Sequence, residues 1–468
     1  MPVRRLSAED ELMLRLDALW PQDIGVIGIL DGEALLDPDG SLRIEALREE
    51  IGARLERAPR FRQVVRSPGR LRGGPIWVDA PAVDLGHHVG VRPLPEGSGD
   101  TQLLDAVQTL RRRRLDPSRP LWEMWFLPGL DGGRVGYFVR WQHAVADGRA
   151  ATTLLAAFLE PEPDAVRAEP AQWAPAPWPS DHELVLDHLR HRARRLAAML
   201  HVLARPCTTV RRVRDAVPML RETLTQKPGP ETSLNRLVGL DRRFALIRTR
   251  LRDVGQIADH HGATVNDVLL ALTAAGLRAL LSSRGELVPG VSVPVYVPVS
   301  LRSAARGPVE GNLISQMVVN VPLDVDPAGR LRRIAAGAAR RKRVSRPSLG
   351  ALFRSRTVSR LMLRAINGQR VNVETGNVRG PSSSQYLVGA QLLEVFPVLN
   401  LVGRVGLGVG AVSYAGAFDV AITADRDTYP DLDVFIAGAR NELDALAASL
   451  HQRREPPDVD GSAASESG

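Results

Sequence analysis

Cysteine is almost absent: Cys207 is the only one in 468 residues. An intramolecular disulfide, a cysteine zinc cluster and a Cys-x-x-Cys redox pair are therefore excluded, and the usage fits a reducing cytoplasm. Lysine is nearly as scarce, with Lys227 and Lys342 alone among 61 basic residues, so arginine carries the formal net charge of +8. Aromatic residues make up 4% of the chain. No aromatic platform or DNA-binding module accompanies basic clusters such as Arg340-Arg341-Lys342-Arg343, so nucleic acid is not the expected partner. Long apolar runs are missing too: Leu287 to Leu301 is the longest uncharged stretch, and prolines break it short of the roughly 18 residues of a spanning helix. Glu9, Asp10 and Glu11 stand where an export signal needs its apolar core. The expectation is a cytoplasmic protein, soluble or peripheral to a membrane.

Several catalytic signatures are also lacking. There is no Gly-x-Ser-x-Gly elbow, no Walker loop and no His-Glu-x-x-His, which removes serine-hydrolase, nucleotide-hydrolase and metallopeptidase chemistry in their usual forms.

What is present is an ordinary globular composition, 44% hydrophobic and 24% charged. The chain is long enough that two domains are expected. Mixed helices and strands in both halves indicate an α/β or α+β architecture. Residues 1–160 read as a first domain and 161–231 as a proline-rich linker followed by a basic helical connection. Residues 232–454 read as a second domain and 455–468 as a disordered tail. In the connection, Leu189, Leu196, Leu200 and Leu203 fall on one helical face, opposite much of Arg190, Arg192, Arg194 and Arg195. Such a helix packs across two domains with its arginines in solvent, or lies on an anionic membrane.

One stretch points to chemistry. Val135, Tyr137, Val139 and Trp141 alternate with Gly136, Phe138, Arg140 and Gln142, the pattern of a strand, and His143 ends it. Asp147-Gly148 follows four residues later, and helical composition begins at Ala150. A histidine on a strand-to-helix junction can take a hydroxyl proton and return it to a leaving group. Asp147 could orient the imidazole or brace the turn, and Gly148 permits a backbone conformation closed to other residues. The pairs His87-His88 and His260-His261 lack a following Asp-Gly; the first opens a strand, and the second fits a helix C-terminus before Gly262.

Colinear segments extend the motif. LERAPRFRQVV (55–65), WVDAPAVDLGHHV (77–89) and LDPSRPLWEMW (115–125) precede or surround it, and GATVNDVLLALTAAGLRALL (262–281), GNLISQMVVNVPL (311–323) and NVRGP (377–381) follow. In these segments the chain resembles the bacterial wax ester synthase/diacylglycerol acyltransferases, members of the CoA-dependent acyltransferase superfamily. The resemblance implies two chloramphenicol-acetyltransferase-like domains with a central tunnel. It implies acyl-CoA as co-substrate, no metal or other cofactor, and a hydroxylated lipid or alcohol as acceptor. Contact with a membrane or lipid-droplet surface is compatible with it.

The family's HHxxxDG motif falls on Gln142, His143, Asp147 and Gly148, with His143 as general base and Asp147 largely structural. Pro120, Leu121, Trp122 and Glu123, together with Asn266 and Asp267, are implied to shape the acyl pocket and active-site wall. Asn266 would support an oxyanion or a reacting hydroxyl, or else cap the following helix. The chain departs from the family pattern at Gln142, in place of the first histidine, and at Arg379, in place of a proline; both bear on acceptor choice. Besides diacylglycerol or fatty alcohol, a hydroxylated secondary metabolite remains open as acceptor, as does a non-catalytic lipid-binding role.

Overall fold

A computed structural model describes residues 3–69, 71–146, 148–164, 173–204, 228–300, 314–342 and 370–452. Among them the chain builds two six-stranded mixed sheets and one small three-stranded sheet.

The first sheet has the order β12 (Tyr386–Leu387), β13 (Ala390–Val398), β2 (Asp23–Leu30), β7 (Arg134–Gln142), β6 (Trp122–Leu130) and β5 (Val89–Val91). The alternation from Val135 forms the expected strand, β7, which runs antiparallel to β2 and β6 in the middle of the sheet. Both of its faces are buried. Val135, Tyr137, Val139 and Trp141 enter a core with Phe61 and Trp122, while Phe138 packs on α4 (Asp100–Arg112) and on Phe244 and Leu246 of the second half. Gly25 of β2 permits this close packing, since a Cβ there would lie 2.3 Å from the Val139 carbonyl oxygen.

The second sheet has the order β10 (Ile314–Pro322), β9 (Ser292–Ser300), β11 (Val373–Arg379), β14 (Leu407–Tyr414), β15 (Ala417–Asp425) and β8 (Arg242–Arg250). One face carries a helical layer of α7 (Leu251–His260), α8 (Val265–Ser283), α9 (Pro327–Lys342) and α10 (Leu432–Gln452), which buries the largest core of the molecule. Only α8 among the described helices is long and apolar enough to cross a membrane, and most of it lies inside that core.

The sheets do not follow the order of the chain. β12 and β13 leave the second half and complete the first sheet, where β13 pairs with β2. Phe396 and Val398 of β13 then share a cluster with Phe138, Leu103, Phe244 and Ala421, so both halves contribute to one interface.

The small sheet joins β1 (Arg4–Arg5), β4 (Ile76–Asp79) and β3 (Gln63–Arg66). The proline-rich linker docks on it: the Arg66 guanidinium lies 3.7 Å from the Trp178 ring centre and Arg62 lies 4.7 Å from that of Trp173. The basic connection begins as α6 (Asp181–Ala204). Leu184 is buried against the small sheet, yet Leu189, Leu196 and Leu200 remain more than half exposed. Among the described residues, α6 thus leaves its apolar stripe open instead of packing it across two domains. The rest of the connection, from 205 to 227, and the tail from 455 onward lie outside the described residues.

One local expectation is corrected. Asn266 does not cap α8: Thr264 does, accepting from Asp267 N (3.3 Å), while the Asp267 carboxylate accepts from Thr264 N (2.9 Å) and Oγ1 (2.7 Å). The arginines ending α4 make long-range ion pairs. Arg111 reaches Asp23 on β2, and Arg112 reaches Asp241 in the second half.

Candidate active site

His143 stands one residue beyond β7, half-buried, in the turn that leads to α5 (Gly148–Ala156). Its N–H donates to the Gln22 carbonyl (2.8 Å), and Gln142 N–H donates to the Leu121 carbonyl (3.0 Å). The turn is therefore fastened to the chain on either side of β7. Trp141 closes it by donating from Nε1 to the Ala146 carbonyl (3.1 Å). Asp147 lies outside the described residues, and Gly148 opens α5.

Gln142, in the place of the family's first histidine, is 2% exposed. Its Oε1 accepts from Ala144 N (2.5 Å), and its own carbonyl accepts from Val145 N (2.8 Å). In this conformation it braces the turn that presents His143.

Beneath the turn lies a buried charge network. Arg140 Nη2 donates to Glu123 Oε2 (2.8 Å) and its Nη1 lies 3.5 Å from Asp23 Oδ2. Arg111 donates through Nε and Nη2 to the Asp23 carboxylate (3.0 and 3.2 Å). Burial opposes the charge on Asp23, but Arg111 and then Arg140 outweigh it and hold the carboxyl at about 2. Asp23 pairs in register with Gln142, so the network fixes the last residues before His143.

The Pro-Leu-Trp-Glu segment supports this same region. Trp122 is stacked between Phe61 and His88, with ring centres 4.5 Å away on each side, and its Nε1 donates to the Phe61 carbonyl (2.8 Å). Burial lowers the His88 imidazole to about 4, so it is neutral at physiological pH and serves as an aromatic spacer. Pro120 and Leu121 are buried, and Glu123 is engaged by Arg140 and by Trp125 Nε1 (3.1 Å).

Not every expected site residue joins His143. Asn266 and Asp267 lie in the helical layer of the second sheet, on the side turned away from the first sheet. Asp267 is buried with Oδ1 unpartnered and lines a pocket of about 360 Å³ with His261, Gly262, Thr264 and Arg332. Arg379 is exposed at the last position of β11.

Two residues with no sequence signal do join it. Asn400 Nδ2 donates to Gln22 Oε1 (2.8 Å), tying the segment after β13 to the residue that holds His143. They are 378 positions apart, too far for any local pattern to mark.

Two mixed sheets facing each other through a shared interface, with a histidine on a strand-to-helix turn of the first, define a two-domain chloramphenicol-acetyltransferase-like fold. The model of the wax ester synthase/diacylglycerol acyltransferase catalytic domain matches residues 6–269, and that of the C-terminal domain of the same family matches residues 310–447. The chain belongs to this family.

It is 28% identical over 452 residues to a probable diacylglycerol O-acyltransferase of Mycobacterium tuberculosis, covering 92% of each chain. It is 30% identical over 441 residues to a putative diacylglycerol O-acyltransferase of Mycobacterium bovis, covering 90% of this chain and 94% of the other. In fold it is similar to the wax ester synthase/diacylglycerol acyltransferase of Marinobacter aquaeolei VT8, with a TM-score of 0.66 at 24% identity over 95% of this chain and 99% of that one. It is similar also to a mutant starter condensation domain of rhizomide synthetase solved with C8-CoA, with a TM-score of 0.58 at 14% identity over 95% of each chain.

Proposed function

We propose that this chain is an acyl-CoA-dependent O-acyltransferase that transfers a long-chain acyl group to diacylglycerol or a fatty alcohol, giving triacylglycerol or wax ester. The observation that carries this reading is the His143 turn: it is fastened to Gln22 and Leu121, set above a buried charge network, and located in a chain that the family's catalytic model matches.

The chemistry follows from the imidazole. His143 removes the acceptor hydroxyl proton as the oxygen attacks the thioester carbonyl. The tetrahedral intermediate collapses, the C–S bond breaks, and the imidazolium returns its proton to the CoA thiolate. No acyl-enzyme forms, and acyl-CoA supplies everything the step consumes.

Incubation of the purified protein with labelled long-chain acyl-CoA and a panel of alcohols, diacylglycerol included, tests this. Labelled triacylglycerol or wax ester is expected, with CoA released only when an acceptor is present. Label on the protein itself would contradict direct attack. Acylation of a polar metabolite alone would favour that acceptor class, in line with the departures at Gln142 and Arg379. No turnover with any acceptor would favour lipid binding without catalysis.

Peripheral contact with a membrane or lipid droplet belongs to the same reading. It is supported by α6, on which exposed Val185, Leu189, Leu196 and Leu200 recur at helical spacing beside Arg190, Arg192 and Arg194.

A further inference from the structure

Asn400 stands in the crossover that leaves β13, and the second half seats this segment on either side of it. Before it, Leu399 lies against glycines of β14, with atoms 3.1 Å from where a Cβ on Gly408 would stand and 3.4 Å from that of Gly410. Pro397 Cγ is 2.9 Å from the same position on Gly410, so the strand must be bare there for the crossover to sit. After it, the Gly403 carbonyl accepts from Val238 N (2.9 Å) and the Arg404 carbonyl accepts from Asn372 Nδ2 (3.1 Å). Arg404 Nη1 also donates to the Asn235 carbonyl (2.9 Å). Asn400 is thus placed by the second half, yet its Nδ2 donates to the first, at Gln22 Oε1 (2.8 Å).

Gln22 is 1% exposed, and each of its polar groups is engaged. Its N–H donates to Asp17 Oδ1 (2.7 Å) at the end of α1 (Ala8–Asp17), and its Nε2 donates to the Trp20 carbonyl (2.9 Å). Its own carbonyl accepts from His143 N (2.8 Å). The Trp20 carbonyl can only accept, which turns Nε2 towards it and leaves Oε1 for a donor. Asn400 is that donor. Without it, a buried oxygen is left unpaired, and Gln22 must move to regain a partner. Such a movement carries with it the carbonyl on which His143 hangs. A general base works within about 2.6 to 3.2 Å of the proton it takes, so a small displacement of the turn costs rate.

We propose that Asn400 is a positioning residue for the proposed base: its bond to Gln22 sets the carbonyl that holds His143, so the second half governs the rate of the chemical step as well as shaping the site. This rests on the acyl-transfer reading above. The role needs no contact with substrate, so it should show in kcat and leave KM alone.

The test compares full-length wild type, Asn400→Ala, Gln22→Met and the double variant, with labelled acyl-CoA and the best acceptor of wild type. Methionine keeps the length of Gln22 and its backbone carbonyl but offers Asn400 no amide oxygen, and it serves if the alanine variant does not fold. Each single variant is expected to lower kcat by about ten- to a hundredfold, with KM for both substrates within about threefold of wild type. Because the two side chains act through one bond, the double variant should lose no more than the worse single one. Hydrogen exchange at the His143 amide, a readout that needs no turnover, should accelerate by about tenfold or more in each. A wild-type kcat in Asn400→Ala would overturn the proposal, as would losses that multiply in the double variant or unchanged exchange at His143. So would an effect confined to KM, which would put Asn400 against substrate. No transfer by wild type to any acceptor would instead overturn the acyl-transfer reading, and the exchange measurement would still decide whether Asn400 holds the turn.

Discussion

Asp23 is buried beneath the end of β7, and two arginines keep it ionised there. A carboxyl held below its ordinary value of 3.8 contributes stability that is fully present above that pH and lost as the pH falls towards about 2. In wild type, denaturant unfolding should therefore show a loss on the order of 2 kcal/mol across this window from Asp23 alone. Asp23→Asn should remove that component. It should also destabilise the protein at neutral pH by about 3 to 5 kcal/mol, because Arg111 loses its carboxylate partner in a buried site. Equal acid sensitivity in the two proteins would show that the network is not what holds the turn. His143 was legible in the sequence because a strand pattern ends on it and Asp-Gly follows. Gln22 and Asn400 were not, since their roles depend on partners brought together only by folding.

At the level of elements, periodicity carried most of the information. The alternation through β7 and the apolar runs of β9 and β10 appear as strands, and Gly262 separates α7 from α8 as its left-handed φ of 62° requires. Helix ends were less legible. The start of α8 is set by Thr264 through its capping box with Asp267, and Asn266 has no part in that cap. Arg111 and Arg112 of α4 reach Asp23 and Asp241, partners that no local pattern marks. The leucines of α6 show the same limit, because amphipathic spacing alone does not reveal what covers a face. If that stripe meets lipid, replacing Leu189, Leu196 and Leu200 by serine should reduce co-sedimentation with anionic vesicles at least tenfold, given about 1.5 to 3 kcal/mol for each fully buried leucine. Activity on a detergent-dispersed acceptor should be unaffected. Undiminished vesicle binding would rule out this helix as the contact.

For the whole molecule, the sequence pointed to two domains of mixed class, and the architecture agrees. Strand exchange was hidden from it: β13 reads as one more apolar run of the second half, yet its hydrogen bonds complete the first sheet. That exchange matters to function because the residues following β13 carry Leu399 to the second sheet and Asn400 to the His143 turn. The proposed base is thus held by both halves at once. The most direct test of this account is the steady-state rate of acyl transfer by His143→Ala, measured with the best acceptor of wild type and with the Tm of both proteins recorded. The account predicts a fall in kcat of about 10² to 10⁴ at an unchanged Tm; transfer at the wild-type rate would contradict it.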